Sequence, residues 1–228
     1  TLSASGETGE NGLLLPSLAA HNTIDIDAWC HYSTTGEGLH RAVDAADGTV
    51  YLYSQCEPAD SKRVFACFDQ PDLKAPIDLT VTAPAGWEII SNSSIATSTP
   101  AESPIYADVD AVTHHFQVTN PLCPYVFALC AGPYHRWSDT YHWHGDDGRE
   151  ITIPLNLYCR ETLAPYFDPD NIFALTKGGF DYYHRTFGIL YPFTGSYDQV
   201  FVPDFNAGAM ENVGCVTYRE AVSYTHLR

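Results

Sequence analysis

The sequence predicts a mainly β fold, a sandwich or saddle-like sheet up to about residue 158, followed by a mixed α/β segment. Two observations lead to this fold class. Short apolar segments with the alternating period of half-buried strands recur from Thr23 to residue 158, and turns rich in Pro, Gly, Asn and Ser separate them. After Arg160 the apolar residues recur at roughly helical spacing instead. We therefore divide the chain into residues 1–158 and 159–222.

The predicted strands follow one another at short intervals. In the first of them, Ile24, Ile26, Ala28 and Cys30 point to one side of an extended chain. Seven or eight short strands with turn signals at this spacing are typical of a β-sandwich or a saddle-like sheet. The predicted strands cover residues 23–30, 50–53, 77–83, 87–91, 112–119, 125–131, 134–143 and 151–158.

A long helix is predicted to begin at Asp168-Pro169-Asp170, which places an acidic cap ahead of apolar residues at roughly helical spacing. Gly178 and Gly179 weaken this prediction, because a glycine in a helix interior costs about 1 kcal/mol relative to alanine. Beyond the helix, the pattern predicts strands over residues 197–202 and 215–218.

The charge of the chain narrows the classes of partner. Its 11 Lys and Arg against 28 Asp and Glu give a formal net charge of −17, whereas nucleic-acid surfaces need clustered cations. The same balance argues against docking on an anionic membrane. The longest apolar runs also fall far short of the ~20 residues that span a bilayer, and residues 1–11 show no signal-peptide pattern. We therefore expect neither a nucleic-acid partner nor a membrane partner.

The seven cysteines predict free thiols. They are scattered, form no C-x-x-C pair, and mostly lie among apolar neighbours, as buried thiols do. Because disulfides persist mainly in oxidising compartments, this usage favours a reducing, cytoplasmic location. The sequon Asn92-Ser93-Ser94 would matter only in a secreted protein, and we interpret it as a turn.

The residues themselves predict no metal site and no catalytic nucleophile. A catalytic zinc takes three protein ligands, often from an H-E-x-x-H helix, and this chain contains no such motif. His142 and His144 share one face of a predicted strand, with Asp146 and Asp147 nearby, but an exposed polar hairpin is the interpretation we favour. The chain also has no Gly-x-Ser-x-Gly elbow. We therefore expect no catalytic residue and no metal ligand here.

Two segments carry residues suited to binding an extended peptide. Gly208-Ala209 leaves room for another backbone to approach closely, and Glu211 offers a carboxylate beside it. Gln55 and Glu57 are two residues apart, so on a strand they would project to one face. Taken singly, each segment is better explained as a tight loop with solvated charges.

Together the two segments resemble the aminopeptidase N family of zinc metallopeptidases. Gly208–Asn212 reads G-A-M-E-N, the exopeptidase signature of that family, and Ser54–Lys74 is similar to the family's N-terminal hallmark. The two motifs stand in the family's order. The resemblance covers roughly residues 20–222 and is similar in character to the actinobacterial cytosolic members.

The resemblance implies a saddle-like N-terminal β-domain, with its first strands missing, followed by the beginning of a thermolysin-like α+β catalytic domain. It also implies that Glu211, helped by Glu57, binds the α-ammonium of a peptide with a free N-terminus. Gln55 would line the pocket for the first side chain, and the Gly208-Ala209 backbone would pair with the substrate main chain. The substrate-binding residues implied are Gln55, Glu57, Gly208, Ala209, Met210, Glu211 and Asn212.

In the family, the zinc-binding H-E-x-x-H helix follows the G-A-M-E-N segment, and this chain reaches Arg228 without it. We therefore expect a truncated chain that binds no zinc and is inactive alone, whereas the complete protein uses zinc. Residues 223–228 do not continue the family pattern, and we expect a non-native tail there. Two alternatives stay open: a non-catalytic β-sandwich binding module, and the bifunctional epoxide-hydrolysing branch of the family, against which Glu57 argues.

Overall fold

From Tyr32 onward the described residues build three β-sheets and one long helix, and the described residues before Tyr32 belong to a separate unit. The computed structural model describes residue 15 and residues 18–103, 108–145, 148–193 and 195–225. The helices are α1 (Pro169–Phe187) and α2 (Val222–Thr225), with short 3-10 helices over Ser61–Arg63, Pro124–Val126 and Ala164–Tyr166. The strands are β1 (Gly38–Val43), β2 (Val50–Gln55), β3 (Thr80–Pro84), β4 (Glu88–Ser91), β5 (Ile95–Glu102), β6 (Asp110–Phe116), β7 (Leu129–Gly132), β8 (Tyr134–His144), β9 (Glu150–Arg160), β10 (Tyr197–Val202), β11 (Ala209–Met210) and β12 (Cys215–Arg219).

The strands of the described residues form three sheets. The first has the order β1-β2-β7-β4 and the second β3-β6-β5, and both are antiparallel. The third, β11-β12-β10-β9-β8, pairs β10 in parallel with β9 and with β12 and is antiparallel at both edges. The predicted mainly β fold is confirmed, and the mixed sheet lies where the sequence turns to an α/β pattern.

Three apolar clusters join these layers. Leu52 of the first sheet packs with Phe116 of the second sheet. Successive side chains of a strand point to opposite faces, so Tyr53 of the same strand packs on the other side, in one cluster with Val200 of the third sheet. Phe201 points to the far face of the third sheet, where helix α1 covers it. The first sheet is therefore buried on both faces, between the second and third sheets.

Helix α1 begins where the sequence predicts it. The Asp168 carboxylate accepts a hydrogen bond from the Asn171 N–H at 3.3 Å, and the helix ends at Gly188, whose φ of 65° is left-handed. The helix continues through Gly178 and Gly179. Packing of its apolar face on the third sheet offsets the cost of these two glycines, since tertiary contacts supply most helix stability in proteins.

Some predicted strands differ from the observed ones. Residues 23–30 form no strand in the described part of the chain, and their side chains are mostly exposed, because alternation makes a strand only where a neighbour takes up its backbone hydrogen bonds. Residues 125–131 divide between a 3-10 helix and β7, and β1 and β5 form without a predicted counterpart. The domain boundary near residue 158 falls within β9, which pairs with β8 and β10, and that boundary stays a prediction.

All seven cysteines are free, as predicted. Burial raises the pKa of both Cys56 and Cys159 to about 12, so these thiols stay protonated near neutral pH. Within the described ranges, no helix has the length and apolar character that crossing a membrane would require.

Candidate functional site

Two residues of the predicted site, Ala209 and Met210, form β11, the edge strand of the third sheet. Ala209 lies opposite Tyr218, and the Arg219 N–H donates to the Gly208 carbonyl at 3.0 Å. In an antiparallel ladder this pattern makes Ala209 and Tyr218 a non-hydrogen-bonded pair. The N–H and C=O of Ala209 therefore point away from β12 toward the edge of the sheet, where an extended peptide can pair with them.

Side chains of the G-A-M-E-N segment alternate between the core and the outside. Met210 and Asn212 are buried, and the Asn212 Nδ2 donates to the Thr217 hydroxyl at 3.4 Å. Ala209 and Glu211 are exposed. Gly208 is also exposed, and a Cβ added to it would meet nothing within 4 Å. The segment is thus anchored through alternate residues, while its other residues face outward.

The turn after this segment is held by Asn92, which is 5% exposed. The Asn92 Nδ2 donates to the carbonyls of Val213 and Val126, both at 2.8 Å, and its Oδ1 accepts from the Ala128 N–H at 2.8 Å. A Cβ on Gly214 would lie 2.7 Å from the Asn92 carbonyl oxygen. The sequence alone indicates only a turn at Asn92, because nothing local signals a bond to a residue 121 positions away.

Gln55 and Glu57 lie at and just after the end of β2. Gln55 pairs with Gly38 of β1 and is 8% exposed, and its Oε1 is buried without a hydrogen-bond partner in the described part of the chain. Buried polar atoms normally have partners, so this acceptor can serve a ligand donor. Glu57 lies in the turn that follows β2 and is exposed; the two side chains therefore do not share one strand face. Neither Glu57 nor Glu211 forms an ion pair among the described residues.

A shared core links the end of β2 to the G-A-M-E-N segment. The Tyr53 hydroxyl donates to the Asp204 carbonyl at 3.2 Å, and its ring packs edge-on against Phe205 with centroids 5.6 Å apart. Tyr53, Phe205 and Met210 belong to one buried cluster. The structure therefore packs the two motifs against the same core, although they are distant in sequence.

The Asp204 carboxylate acts on two titratable side chains beside this core, Tyr53 and His40. Burial raises the pKa of Tyr53, and the nearby Asp204 carboxylate raises it further. Burial lowers the pKa of His40 and outweighs the opposite effect of Asp204. The Gly36 N–H donates to the His40 Nδ1 at 2.9 Å, so that nitrogen carries no proton. His40 is therefore neutral and adds no cation to this region.

The residues that the structure describes do not fit a zinc centre. They contain no group of three or more His, Cys, Asp or Glu placed to hold a metal ion. The His142 Nδ1 lies 3.1 Å from the Thr152 hydroxyl, and the His144 Nδ1 lies 3.1 Å from the Glu150 carboxylate, as in the favoured polar hairpin. The other two residues considered there, at positions 146 and 147, lie outside the described residues.

An apolar groove of about 350 Å³ lies between α1 and the third sheet, and one of its lining residues, Tyr218, pairs with Ala209. Its lining includes Leu175, Phe180, Tyr197 and Tyr218, and no carboxylate. Apolar pockets are the usual first guess for a binding site, but this one offers no charged partner to a peptide N-terminus. We therefore place the candidate site at the edge strand and the end of β2.

Known proteins match both halves of the chain. Residues 19–126 match the family model of the peptidase M1 N-terminal domain, and residues 173–225 match that of the peptidase family M1 domain. The chain is 45% identical to aminopeptidase N of Streptomyces lividans over 212 residues, which are 92% of this chain and 23% of that protein. It is 32% identical to aminopeptidase M1 of Arabidopsis thaliana over 73% of this chain and 17% of that protein. It is 28% identical to glutamyl aminopeptidase of Homo sapiens over 87% of this chain and 19% of that protein.

The chain thus spans less than a quarter of the length of these relatives. The matches confirm the predicted order, a β-domain followed by the start of a catalytic domain. The matched ranges include Ser54–Lys74 and Gly208–Asn212, the two motifs on which the resemblance rests.

Proposed function

Because this chain belongs to peptidase family M1, we propose that it forms the part of a zinc-dependent aminopeptidase that binds the free N-terminus of peptide substrates. The observation that carries the proposal is the edge strand β11. It exposes the Ala209 backbone and, two residues further on, the Glu211 carboxylate. The relatives named above are aminopeptidases, and their activity on peptides is what we extend to the complete protein.

Each predicted site residue has a distinct role in this proposal. Glu211 and Glu57 bind the α-ammonium of the substrate, because exposed carboxylates without a protein cation are available to a ligand cation. The outward N–H and C=O of Ala209 pair with the substrate backbone, and Gly208 leaves space for it. Gln55 offers its unpartnered Oε1 to the first residue of the substrate. The buried side chains that hold the strand in place are Met210 and Asn212.

This arrangement explains why the enzyme would act only at peptide ends. A free N-terminus brings a cation that two carboxylates can share, in charge-assisted hydrogen bonds stronger than neutral ones. An internal or acetylated segment brings no cation and leaves both carboxylates unpaired, and a site built around a polar group rejects ligands that lack it. We propose peptides with a free N-terminus as the substrate class and partners of the complete enzyme.

Zinc is the cofactor that we propose for the complete enzyme, where it would supply the Lewis acid and the activated water of hydrolysis. The chain has no H-E-x-x-H motif, and its described residues offer no cluster of three ligands. We therefore assign no metal ligand and no catalytic residue here and derive no chemical step from this chain. The free cysteines favour a cytoplasmic enzyme.

Replacing Glu211 by Gln in the complete enzyme tests the central role. A hydrogen bond to a charged group contributes about 1.5–3 kcal/mol, so kcat/KM on an alanyl anilide should fall roughly 10- to 100-fold. The thermal unfolding midpoint should not change, because Glu211 is exposed and unpaired. Glu102→Gln, at the exposed end of β5, is the matched control and should leave both quantities as they are.

An unchanged kcat/KM in Glu211→Gln would refute the binding role of this carboxylate. If the zinc-loaded complete protein released no amino acid from any aminoacyl anilide, the non-catalytic binding module would replace the aminopeptidase as the better proposal.

A further inference from the structure

Arg219, the last residue of β12, makes three hydrogen bonds to the loop that leads into β11. Its backbone N–H donates to the Gly208 carbonyl at 3.0 Å, its Nε to the Phe205 carbonyl at 2.9 Å, and its Nη2 to the Asn206 carbonyl at 2.6 Å. The guanidinium forms no ion pair among the residues that the structure describes. The donors of its planar guanidinium thus bind two successive main-chain carbonyls.

The other contacts of this loop leave those two carbonyls to Arg219. The Tyr53 hydroxyl donates to the carbonyl of Asp204, one residue earlier. The Asn206 side chain donates outward, from its Nδ2 to the Thr35 carbonyl at 2.7 Å. Asp204 itself adopts a φ of 55°, which non-glycine residues rarely do. A loop of this shape needs several contacts to persist, and the guanidinium supplies the two nearest to β11.

The shape of this loop matters because β11 cannot set its own register. The strand β11 pairs with β12 through two residues, Ala209 and Met210. A shift of one residue in a strand turns every side chain to the opposite face. Such a shift would move Met210 out of the core and direct Glu211 inward. Two ladder positions offer little resistance to it, so the turn held by Asn92 after β11 and the loop ahead of β11 both help to specify the register.

We propose that Arg219 is a positioning residue that fixes the Phe205 and Asn206 carbonyls and thereby selects the register that buries Met210 and exposes Glu211. The part of this inference that concerns peptide binding rests on the proposed function. Arg219 itself does not touch the substrate in this proposal and acts only through the loop and β11.

Amide hydrogen exchange of the whole 228-residue chain, read residue by residue by NMR, tests the positioning role. Arg219→Met keeps an unbranched, flexible side chain and removes its donors. The N–H groups of residues 219 and 210 should then exchange about tenfold faster, as the loss of a charge-assisted hydrogen bond predicts. The Val200 N–H, in the centre of the same sheet, should be unchanged. Arg219→Lys keeps the charge but not the planar guanidinium. Its exchange rates at residues 210 and 219 should lie between those of the unmodified chain and those of Arg219→Met.

Arg185→Met is the matched control for the loss of an arginine. The Arg185 Nε also donates to a main-chain carbonyl, that of Asp181 at 3.0 Å, but within α1. Exchange at residues 210 and 219 should not respond to this substitution.

Titration of trialanine and N-acetyl-trialanine against the same chains reads the functional consequence. The unmodified chain should prefer trialanine, Arg219→Met should reduce that preference about tenfold, and Arg185→Met should keep it. Unchanged exchange at residues 210 and 219 in Arg219→Met overturns the positioning role. Faster exchange that extends to Val200 also overturns it, because the effect would then be global destabilisation.

The hydrogen-exchange and peptide-titration experiments distinguish the positioning role of Arg219 from the proposed function. Faster local exchange in Arg219→Met, together with an unmodified chain that binds both peptides equally, supports the positioning role and counts against the proposed function.

Discussion

Carboxylates in two regions of this chain have opposite surroundings. At the junction of the first and third sheets, Arg160 Nη1 lies 2.8 Å from Asp44 Oδ2 and Arg160 Nε lies 2.6 Å from Glu220 Oε1, with Asp44 2% and Glu220 14% exposed. At the edge of the third sheet and the end of β2, Glu211 and Glu57 are exposed and have no ion pair among the described residues.

The pKa shifts of Asp44, Glu220 and Arg160 show how strongly these three side chains interact. Burial alone would raise the pKa of Asp44, but hydrogen bonds from Thr162 and the Ala46 N–H, together with Arg160, lower it below its usual value. For Glu220 the effect of burial is larger than that of Arg160, so its pKa rises. The two acids shift in opposite directions although they share one cation. The hydrogen bond from Arg160 to Glu220 is also the main cause of the raised pKa of Arg160.

The two regions differ in whether their carboxylates have a cationic partner within the protein. Asp44 and Glu220 are occupied by a cation of the protein and join elements that are distant in sequence. Glu57 and Glu211 have no cationic partner among the described residues and lie beside an open strand edge and the Gln55 acceptor, so they can receive the cation of a ligand. The predictions below test that distinction.

Removing the cation of the structural group should have the largest effect. Arg160→Met leaves the buried Asp44 and the partly buried Glu220 without their partner, and breaking a buried ion pair in this way costs about 3–5 kcal/mol. Urea unfolding should report this loss with an unchanged dependence on denaturant. Arg41→Met, at an exposed position of β1, should change stability by less than about 0.5 kcal/mol. A loss below about 1 kcal/mol in Arg160→Met would remove the distinction between the two regions.

Asp198 offers an intermediate case, buried like Asp44 but with neutral hydrogen-bond donors. Burial raises its pKa to about 6 from 3.8, against the lowering effect of hydrogen bonds from Asn156 and Ser196. Because the folded state holds the proton more tightly, the stability from this group is fully present below about pH 4 and is lost as the pH rises through about 6.

Asp198→Asn should remove that pH dependence. Between pH 4 and pH 7.5 the variant should lose roughly 2.5 kcal/mol less stability than the unmodified chain, since one pKa unit corresponds to 1.36 kcal/mol. Urea unfolding across this range measures the difference. Asp110→Asn, at the exposed start of β6, should follow the unmodified chain, and parallel curves for Asp198→Asn would show that its carboxylate is not the group responsible.

Two glycines on either side of Glu211 distinguish a structural position from a binding position. Gly214 has a φ of 72°, and a Cβ there would meet the Asn92 backbone, so Gly214→Ala should cost about 2 kcal/mol in urea unfolding. A Cβ on Gly208 meets nothing, so Gly208→Ala should keep the stability within about 0.5 kcal/mol. In the complete enzyme, however, Gly208→Ala should lower kcat/KM, because the added methyl obstructs the peptide. Full activity in that variant would contradict close approach at Gly208.

The smallest effect concerns the coupling between Glu57 and Glu211. If both carboxylates bind one ammonium, their effects on kcat/KM should be coupled. Expressed as free energies, the loss in the double Gln variant should differ from the sum of the two single losses by about 1 kcal/mol. Aminoacyl anilide kinetics of the four enzymes in the cycle give this number. Strictly multiplicative losses would assign the two carboxylates to separate tasks.

Local pattern was sufficient for the elements whose burial follows their own sequence. The prediction of a strand over residues 197–202 agrees with β10, because that strand is a short apolar segment between turn signals. The strand β5 escaped prediction, since its side chains are nearly all exposed and show no apolar alternation. Residues 23–30 show alternation without forming a strand in the described part of the chain, because pairing depends on a neighbour that local pattern does not reveal.

The candidate site divides in the same way. The G-A-M-E-N segment and the Gln55-Cys56-Glu57 segment are recognisable as motifs, and their roles as binding residues stay predictions. Asn92 and Arg219, which hold the segment at its two ends, carry no such local signal. Their bonds reach the Val213 carbonyl from the bend after β4, and the Phe205 and Asn206 carbonyls from the end of β12.

By itself, the sequence determined the mainly β character, the long helix, the excess of acidic residues, the free cysteines and the two motifs of the candidate site. These properties follow from composition and from the order of neighbouring residues. Only the tertiary structure decided which carboxylates are neutralised by Arg160 and which face outward, and which side of β11 is open. The reason is physical: the partners of Asp44 and Arg160 lie 118 and 60 residues away, at Thr162 and Glu220, and only the packing of the sheets brings them into contact.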